Sequence, residues 1–262
     1  MNSKHLAIPL LALLLGGAAR ADDVLITDRP GLVESSSTVG KGRLQLETSL
    51  AFARDKSGGS TARLRSTPTL FRIGTGEDWE LRIETDGALR SRLTESGMSQ
   101  RASGYADTAL GLKWHVQDGD EASGKPGLAW LFHLDMDSGS AAFRGQGLRP
   151  SVRLTAEWEL PRDWSAGLIG GLYRDRVESG RHFTGAILGG SLGFALNEAW
   201  HGYVELAGEQ LASQRHGGKT ITAGAGVTWL LAKALQLDLS FSRGVNKAAP
   251  DFAWALGLST RF

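Results

Sequence analysis

From Phe252 onward the chain alternates without a break. Phe252, Trp254, Leu256 and Leu258 interleave with Ala253, Ala255, Gly257 and Ser259, and the run ends on Phe262. Strand side chains point to opposite faces with a period of two, so this stretch predicts a strand apolar on one side only. The same pattern recurs about every 18 residues from Gly42, the length of a membrane-crossing strand plus its connector. Leu44, Leu46, Leu50 and Phe52 alternate with Arg43, Gln45, Glu47 and Ser49. Trp79, Leu81, Ile83, Thr85, Gly87 and Leu89 alternate with Glu80, Arg82, Glu84, Asp86, Ala88 and Arg90. Further runs cover 106–115, 128–137 and 152–159, and others begin near Trp164, Phe183, Trp200, Thr220 and Leu235. Two strands are less regular. In the second, over 62–73, Pro68 removes a ladder donor and the apolar face is expected to change sides near Phe71. In the eighth, Phe183 and Ile187 compete with Leu188, Leu192 and Phe194 for one face. The expected fold is all-β: a transmembrane antiparallel β-barrel of about 12 strands, with both termini periplasmic because the count is even.

Connectors and tryptophans agree with this reading. Tight turns at 161–163, 197–199 and 232–234 alternate with longer or more polar loops at 55–60, 94–103, 138–147 and 213–219. Short turns belong on the periplasmic side and long loops outside; only 117–126 departs from the trend. Seven of the eight tryptophans fall next to the short-turn side, where an aromatic belt meets the membrane interface.

Export is expected from the first residues. Lys4 and His5 precede an apolar stretch from Leu6 to Leu15, and Ala19-Arg20-Ala21 offers a small-residue cleavage site, so residues 1–21 read as a signal peptide cleaved near Ala21. The apolar stretch is too short to span a bilayer as a helix. The chain contains no cysteine, which excludes lipid anchoring, disulfides and thiolate metal sites. Without Lys4 and Arg20, 27 basic residues face 28 acidic ones, a balance that gives no case for nucleic acid. The address implied is the outer membrane of a Gram-negative cell.

Charges are expected inside, since a charge facing lipid at mid-bilayer costs about 2–4 kcal/mol. The inward set comprises Arg43 and Glu47 in the first strand, Arg63 and Arg65 in the second, and Glu80, Arg82, Glu84, Asp86 and Arg90 in the third. Asp107 and Lys113 follow in the fourth, His133 and Asp135 in the fifth, Arg153 and Glu157 in the sixth, and Glu205 and Glu209 in the ninth. Two roles fit them: a salt-bridged interior of a nearly closed barrel, or a narrow polar conduit. The mixed signs argue against strong anion or cation selectivity.

The N-terminal stretch Ile26-Thr27-Asp28-Arg29-Pro30, then Glu34-Ser35, then Val39-Gly40-Lys41-Gly42-Arg43-Leu44-Gln45-Leu46-Glu47, resembles the opening of the putative MetA pathway of phenol degradation family. Asp107-Thr108-Ala109-Leu110-Gly111-Leu112-Lys113 resembles a second recurring segment of that family. The resemblance implies an outer-membrane "transporter" barrel that passes small hydrophobic, often aromatic, compounds. The chain departs from the family pattern at Gly31-Leu32-Val33, where an acidic residue commonly follows the proline.

Residues 22–41 precede the first strand and are read either as a disordered periplasmic leader or as a plug, with Asp28 and Arg29 pairing to interior charges. The barrel proper is expected over 42–262. No catalytic residue is assigned: His182 and His216 lie near Ser179 and Ser213 in loops, without the orienting partner that nucleophilic catalysis needs. No metal and no cofactor are expected, because His133-Leu134-Asp135 is a pair that strand spacing produces easily. The partners expected are outer-membrane lipid, the barrel-assembly machinery through Phe262, and a small-molecule solute, with no nucleic acid. The function expected is passive uptake of small hydrophobic or aromatic compounds. A closed barrel with an envelope-maintenance role is the alternative.

Overall fold

The computed structural model describes residues 24–177, 179–212 and 218–262; the expected signal peptide and the residues His216 and Ser213 lie outside them. Fifteen strand segments follow one another: β1 (Leu44–Ser57), β2 (Ser60–Ser66), β3 (Thr69–Gly74), β4 (Trp79–Thr85), β5 (Ala88–Glu95), β6 (Met98–Tyr105), β7 (Thr108–Gln117) and β8 (Gly127–Asp135). They continue as β9 (Arg149–Leu160), β10 (Trp164–Arg176), β11 (His182–Ala195), β12 (Trp200–Leu211), β13 (Lys219–Ala232), β14 (Leu235–Gly244) and β15 (Phe252–Arg261). All neighbours pair antiparallel in one sheet, and β15 pairs back onto β1 from Gln45↔Arg261 to Arg54↔Phe252. The closure is sealed by Phe262 donating its N–H to the Leu44 carbonyl at 2.7 Å.

Three of the barrel's strands are each interrupted once, so the fifteen segments make twelve staves. β2 and β3 hold a single register along β1, with Phe52↔Arg65 and Thr48↔Thr69, and break only at Thr67-Pro68. β4 and β5 break at Asp86-Gly87, and β6 and β7 at Ala106-Asp107. The kinks carry one extra residue: Thr69 faces Thr85, yet Arg65 faces Arg90 rather than Leu89. An inserted residue of this kind reverses which face later side chains take. Gly87 sits at the turn with φ 66°, and a Cβ there would strike the Thr67 carbonyl. Above the kinks β2, β5 and β6 form a three-stranded ribbon. The far edge of β6 begins against the 136–148 loop, where the Ser140 N–H donates to the Tyr105 carbonyl at 2.9 Å.

The outward face is apolar and belted by aromatics at both rims, as lipid contact requires. At one rim Trp79 stacks on Trp114 and Trp200 on Trp229, with ring centroids 5.2 and 5.1 Å apart. At the other, Phe52 lies 6.2 Å from Trp254 and Phe241 6.2 Å from Phe252. In β11 the competition resolves simply: Leu188 and Leu192 are exposed outward and Ile187 is buried inward.

The register corrects three expectations about the inner face. Arg63 and Arg65 lie opposite Arg54 and Phe52 of β1 and share their outward face. Arg90 lies opposite Arg65 and also faces out, while Leu89 turns inward and is buried. The apolar positions of the second stave do change sides near Phe71: Leu64 and Leu70 lie opposite the inward Ala53 and Glu47, while Phe71 and Ile73 lie opposite the outward Leu46 and Leu44. Above the lipid the selection for apolar outward residues lapses, so alternation there no longer reports the side.

Candidate functional site: the lumen and the N-terminal segment within it

The barrel's interior is filled by the chain's own N-terminal segment. Residues 24–41 run through the lumen with Leu25 and Val39 buried. Because the segment forms no regular structure, its backbone groups need partners, and the inward side chains of the wall supply them. Glu47 accepts from the N–H groups of Asp28 and Arg29 at 3.0 and 3.1 Å. Glu205 accepts from Leu32 and Val33 at 2.8 and 2.9 Å. Glu157 accepts from Ser36 N–H at 3.1 Å and from both the Ser35 and Ser36 hydroxyls at 3.2 Å. Glu80 accepts from Val39 N–H at 2.9 Å. Gly31 is what lets Glu205 approach, since a Cβ there would stand 2.6 Å from its Oε2.

Asp28 stands at the centre of a buried ion cluster. Its carboxylate accepts from Arg82 Nη1 at 2.6 Å, from Lys113 Nζ at 2.8 Å and from the Ser35 N–H at 3.0 Å. Arg72 links Glu47 at 3.0 Å to Glu80 at 2.8 Å and donates to the Ser37 carbonyl at 2.9 Å. Arg82 also reaches Glu34 at 2.7 Å and Glu84 at 2.8 Å, and Glu84 in turn lies 2.9 Å from His133 Nε2. Arg153 holds the other oxygen of Glu34 at 3.2 Å. Across the lumen Arg29 pairs with Asp238 at 3.5 Å. Arg72, Glu47, Glu80 and Lys113 are each 0% exposed. Buried charges of this kind persist because each is paired and hydrogen-bonded.

Cavities lie on both sides of this cluster. Toward the ribbon end, a cavity of about 700 Å³ is bordered by Leu32, Leu89, Phe143, Asp86, Asp135 and Arg153. A second, of about 440 Å³, lies between Pro30 and the β12–β15 wall, with Tyr203 and Glu209 on its border. Toward the tryptophan-rich end, about 470 Å³ is bounded by Val24, Val39, Arg43, His115 and Arg261. Asp107 organises the outer mouth: its carboxylate accepts from the N–H groups of Gly139 and Gly145 at 2.7 Å each and from Arg149 at 2.6 Å. The loop after β8 is thereby folded over the first cavity.

Of the inward charges expected from alternation, the structure gathers Glu47, Glu80, Arg82, Glu84, Lys113, His133, Arg153, Glu157 and Glu205 against the N-terminal segment or its ion cluster. Arg43 lies at the inner cavity, and Asp86, Asp107, Asp135 and Glu209 at the outer ones. Arg63, Arg65 and Arg90 are outside. Sequence reasoning missed Arg72, Glu34, Asp238 and Arg149. Arg72 was legible, since it lies between Phe71 and Ile73 in an alternating run.

Residues 27–262 match the family described as "Putative MetA-pathway of phenol degradation". The chain belongs to that family. A comparison with curated proteins finds no match. Among solved structures, the COG4313 outer membrane channel from Pseudomonas putida F1 superposes with a TM-score of 0.64 at 13% identity, covering 89% of this chain and 99% of that one. The translocator domain of the autotransporter NalP from Neisseria meningitidis gives 0.51 at 16% identity, covering 85% and 89%. The transport unit of the autotransporter AIDA-I from Escherichia coli gives 0.51 at 10% identity, covering 85% and 90%. At such identities the likeness is one of fold: the family's barrel architecture is shared with channels and translocators.

Proposed function

We propose that this protein is an outer-membrane channel for passive uptake of small hydrophobic or aromatic compounds, and that residues 24–41 are its gate. The observation that carries this reading is the ion cluster around Asp28, which stands between the outer cavities and the inner one. The outer cavities have the size of small-molecule sites and mix apolar walls (Leu32, Leu89, Phe143) with charged margins. Membership of a family tied to phenol degradation, and a barrel shared with an outer membrane channel of Pseudomonas putida, support transport over catalysis. Passage needs no cofactor, only a gradient and a displacement of the plug. The N-terminal segment is docked by hydrogen bonds and ion pairs rather than by strand pairing, so it can leave without opening the barrel. We assign export through residues 1–21 and assembly through the terminal strand ending at Phe262 to the same reading.

Full burial of the cluster also favours a second reading, a barrel that stays closed and serves the envelope structurally. Planar-bilayer conductance and liposome swelling separate the two. Deleting residues 22–41 is expected to raise conductance severalfold and to admit neutral aromatic solutes. Unchanged conductance counts against a plug, and no permeability to any solute before or after deletion favours the closed barrel.

A further inference from the structure

The outward face of the ribbon carries a ladder of arginines that the lumen does not use. Arg54 of β1 lies directly opposite Arg63 of β2, Arg63 opposite Arg92 of β5, and Arg92 opposite Arg101 of β6. One row below, Phe52 lies opposite Arg65, and Arg65 opposite Arg90. Like charges set directly across a sheet repel. Among the described residues none of these six arginines has an ion-pair partner; the polar contact in the upper row is Arg92 to the Ser99 hydroxyl at 3.1 Å. The ribbon's own acids cannot neutralise them: Asp55 and Glu95 fall on the other face by register. Asp251, at the edge, accepts from the backbone N–H of Lys56. The backbone ladder holds the row in place, and its unneutralised charge favours anions from outside the chain.

A second observation bears on what would carry those anions. Immediately below the ladder lies a mainly apolar crease of about 550 Å³, bordered by Leu50, Phe52 and Trp254, with Arg65 and Arg90 on its upper margin. Phe52 and Trp254 are the aromatic pair of the ribbon-side rim, so the crease opens onto lipid and the arginines stand just above it. Apolar chain below and paired anions above is the build of a phosphorylated lipid. Guanidinium forks bind phosphate oxygens bidentately and tolerate partial burial better than ammonium groups do. Neighbouring strands stand about 4.8 Å apart, which allows one phosphate to bridge two arginines of a row.

We propose that the arginine ladder and the crease beneath it form a docking site for a phosphorylated glycolipid of the outer leaflet, acyl chain in the crease and phosphates across Arg63, Arg92, Arg65 and Arg90. The site rests on the outer-membrane reading above, but not on transport. Bound lipid would brace the ribbon whose β6 edge has no strand beyond it.

Native mass spectrometry of the full chain folded in detergent tests this, with bisphosphorylated lipid A, its dephosphorylated form, phosphatidylglycerol and inorganic pyrophosphate as probes. Bisphosphorylated lipid A is expected to be retained at least tenfold more tightly than the other three. The Arg63→Ala/Arg92→Ala double variant should lose that tenfold preference, while Lys233→Ala, in a turn at the opposite rim, should keep it. Heat-modifiable migration on gels certifies that each variant is a folded barrel. Equal retention by the double variant overturns the proposal. So does pyrophosphate or phosphatidylglycerol binding as tightly as lipid A. A barrel that never conducts yet retains lipid A selectively leaves the proposal standing and removes only the transport reading. A chain that forms no detergent-stable barrel removes the outer-membrane reading itself.

Discussion

Two sets of arginines, a few residues apart on the same staves, live under opposite rules. Arg72 and Arg82 point into the lumen, are buried, and each touches at least three carboxylates. Arg63 and Arg90 sit beyond the kinks on the outer face and meet other arginines. The first set has its countercharge built into the chain; the second has it left to the surroundings. Burial, not residue type, therefore decides whether a fold must supply an ion's partner. A desolvated guanidinium without a carboxylate is too costly to keep, whereas water, salt or a bound anion screens an exposed one.

The inner half of that contrast predicts the strongest response. Arg72→Met strands Glu47 and Glu80 among buried neighbours, and removing one member of a buried ion pair costs about 3–5 kcal/mol. The urea midpoint for unfolding in detergent should fall accordingly. Because Arg72 also holds the Ser37 carbonyl, the variant should open more often in planar bilayers. A midpoint within error of the parent would show that the cluster does not hold the interior together.

The kink that separates the two sets should matter somewhat less. Gly87→Val places a β-branched residue at φ 66° against the Thr67 carbonyl. Backbone strain of this type costs of order 1–3 kcal/mol, and the same denaturation curve reads it. The cost should appear with little change in plug docking, because Gly87 lies beyond the ion cluster. A conductance change as large as that of Arg72→Met would mean that ribbon and lumen are one mechanical unit.

What the sequence revealed follows the same division. In the staves that face lipid, every second residue is selected to be apolar, so alternation located Glu47, Glu80, Lys113 and Glu205 without any structure. Beyond the kinks that selection ends, so Arg63 and Arg65 were placed on the wrong side although their register is unbroken, and the extra residue at Asp86-Gly87 reverses the count at Arg90. Residues 24–41 carry no periodic pattern at all. Asp28 and Arg29 could be suspected from their charge, but Glu34 gave no sign of meeting Arg82 and Arg153, because that contact depends on a path through the lumen rather than on local spacing. Arg149 was hidden for a similar reason: its partner Asp107 belongs to a kink, not to a strand.

The outer half of the contrast predicts a weaker effect of opposite sign. In lipid-free detergent, Arg63→Ala removes a charge directly opposite Arg54 and Arg92, and relief of one such repulsion is worth about 0.2–1 kcal/mol. Stability should hold or rise slightly, and the gain should shrink as salt is added. A clear loss would mean that Arg63 has packing partners its cross-strand register does not show.

The faintest effect concerns a charge whose partner is local and whose surroundings are water. Asp120, in the turn between β7 and β8, accepts from the Ser123 hydroxyl at 2.7 Å and from the Ala122 N–H at 3.0 Å. These bonds favour the ionised carboxylate and hold its pKa below the usual value, the Ser123 hydroxyl contributing most. A carboxyl whose folded pKa is depressed adds stability above its unfolded pKa and loses it as pH falls through the folded one. Ser123→Ala should therefore move the Asp120 titration upward, toward the ordinary aspartate range, as read by carboxyl carbon chemical shifts against pH. Conductance and barrel unfolding at neutral pH should not change. The turn is exposed, so solvent replaces what the hydroxyl gave, which is the compensation denied to Arg72 inside the lumen.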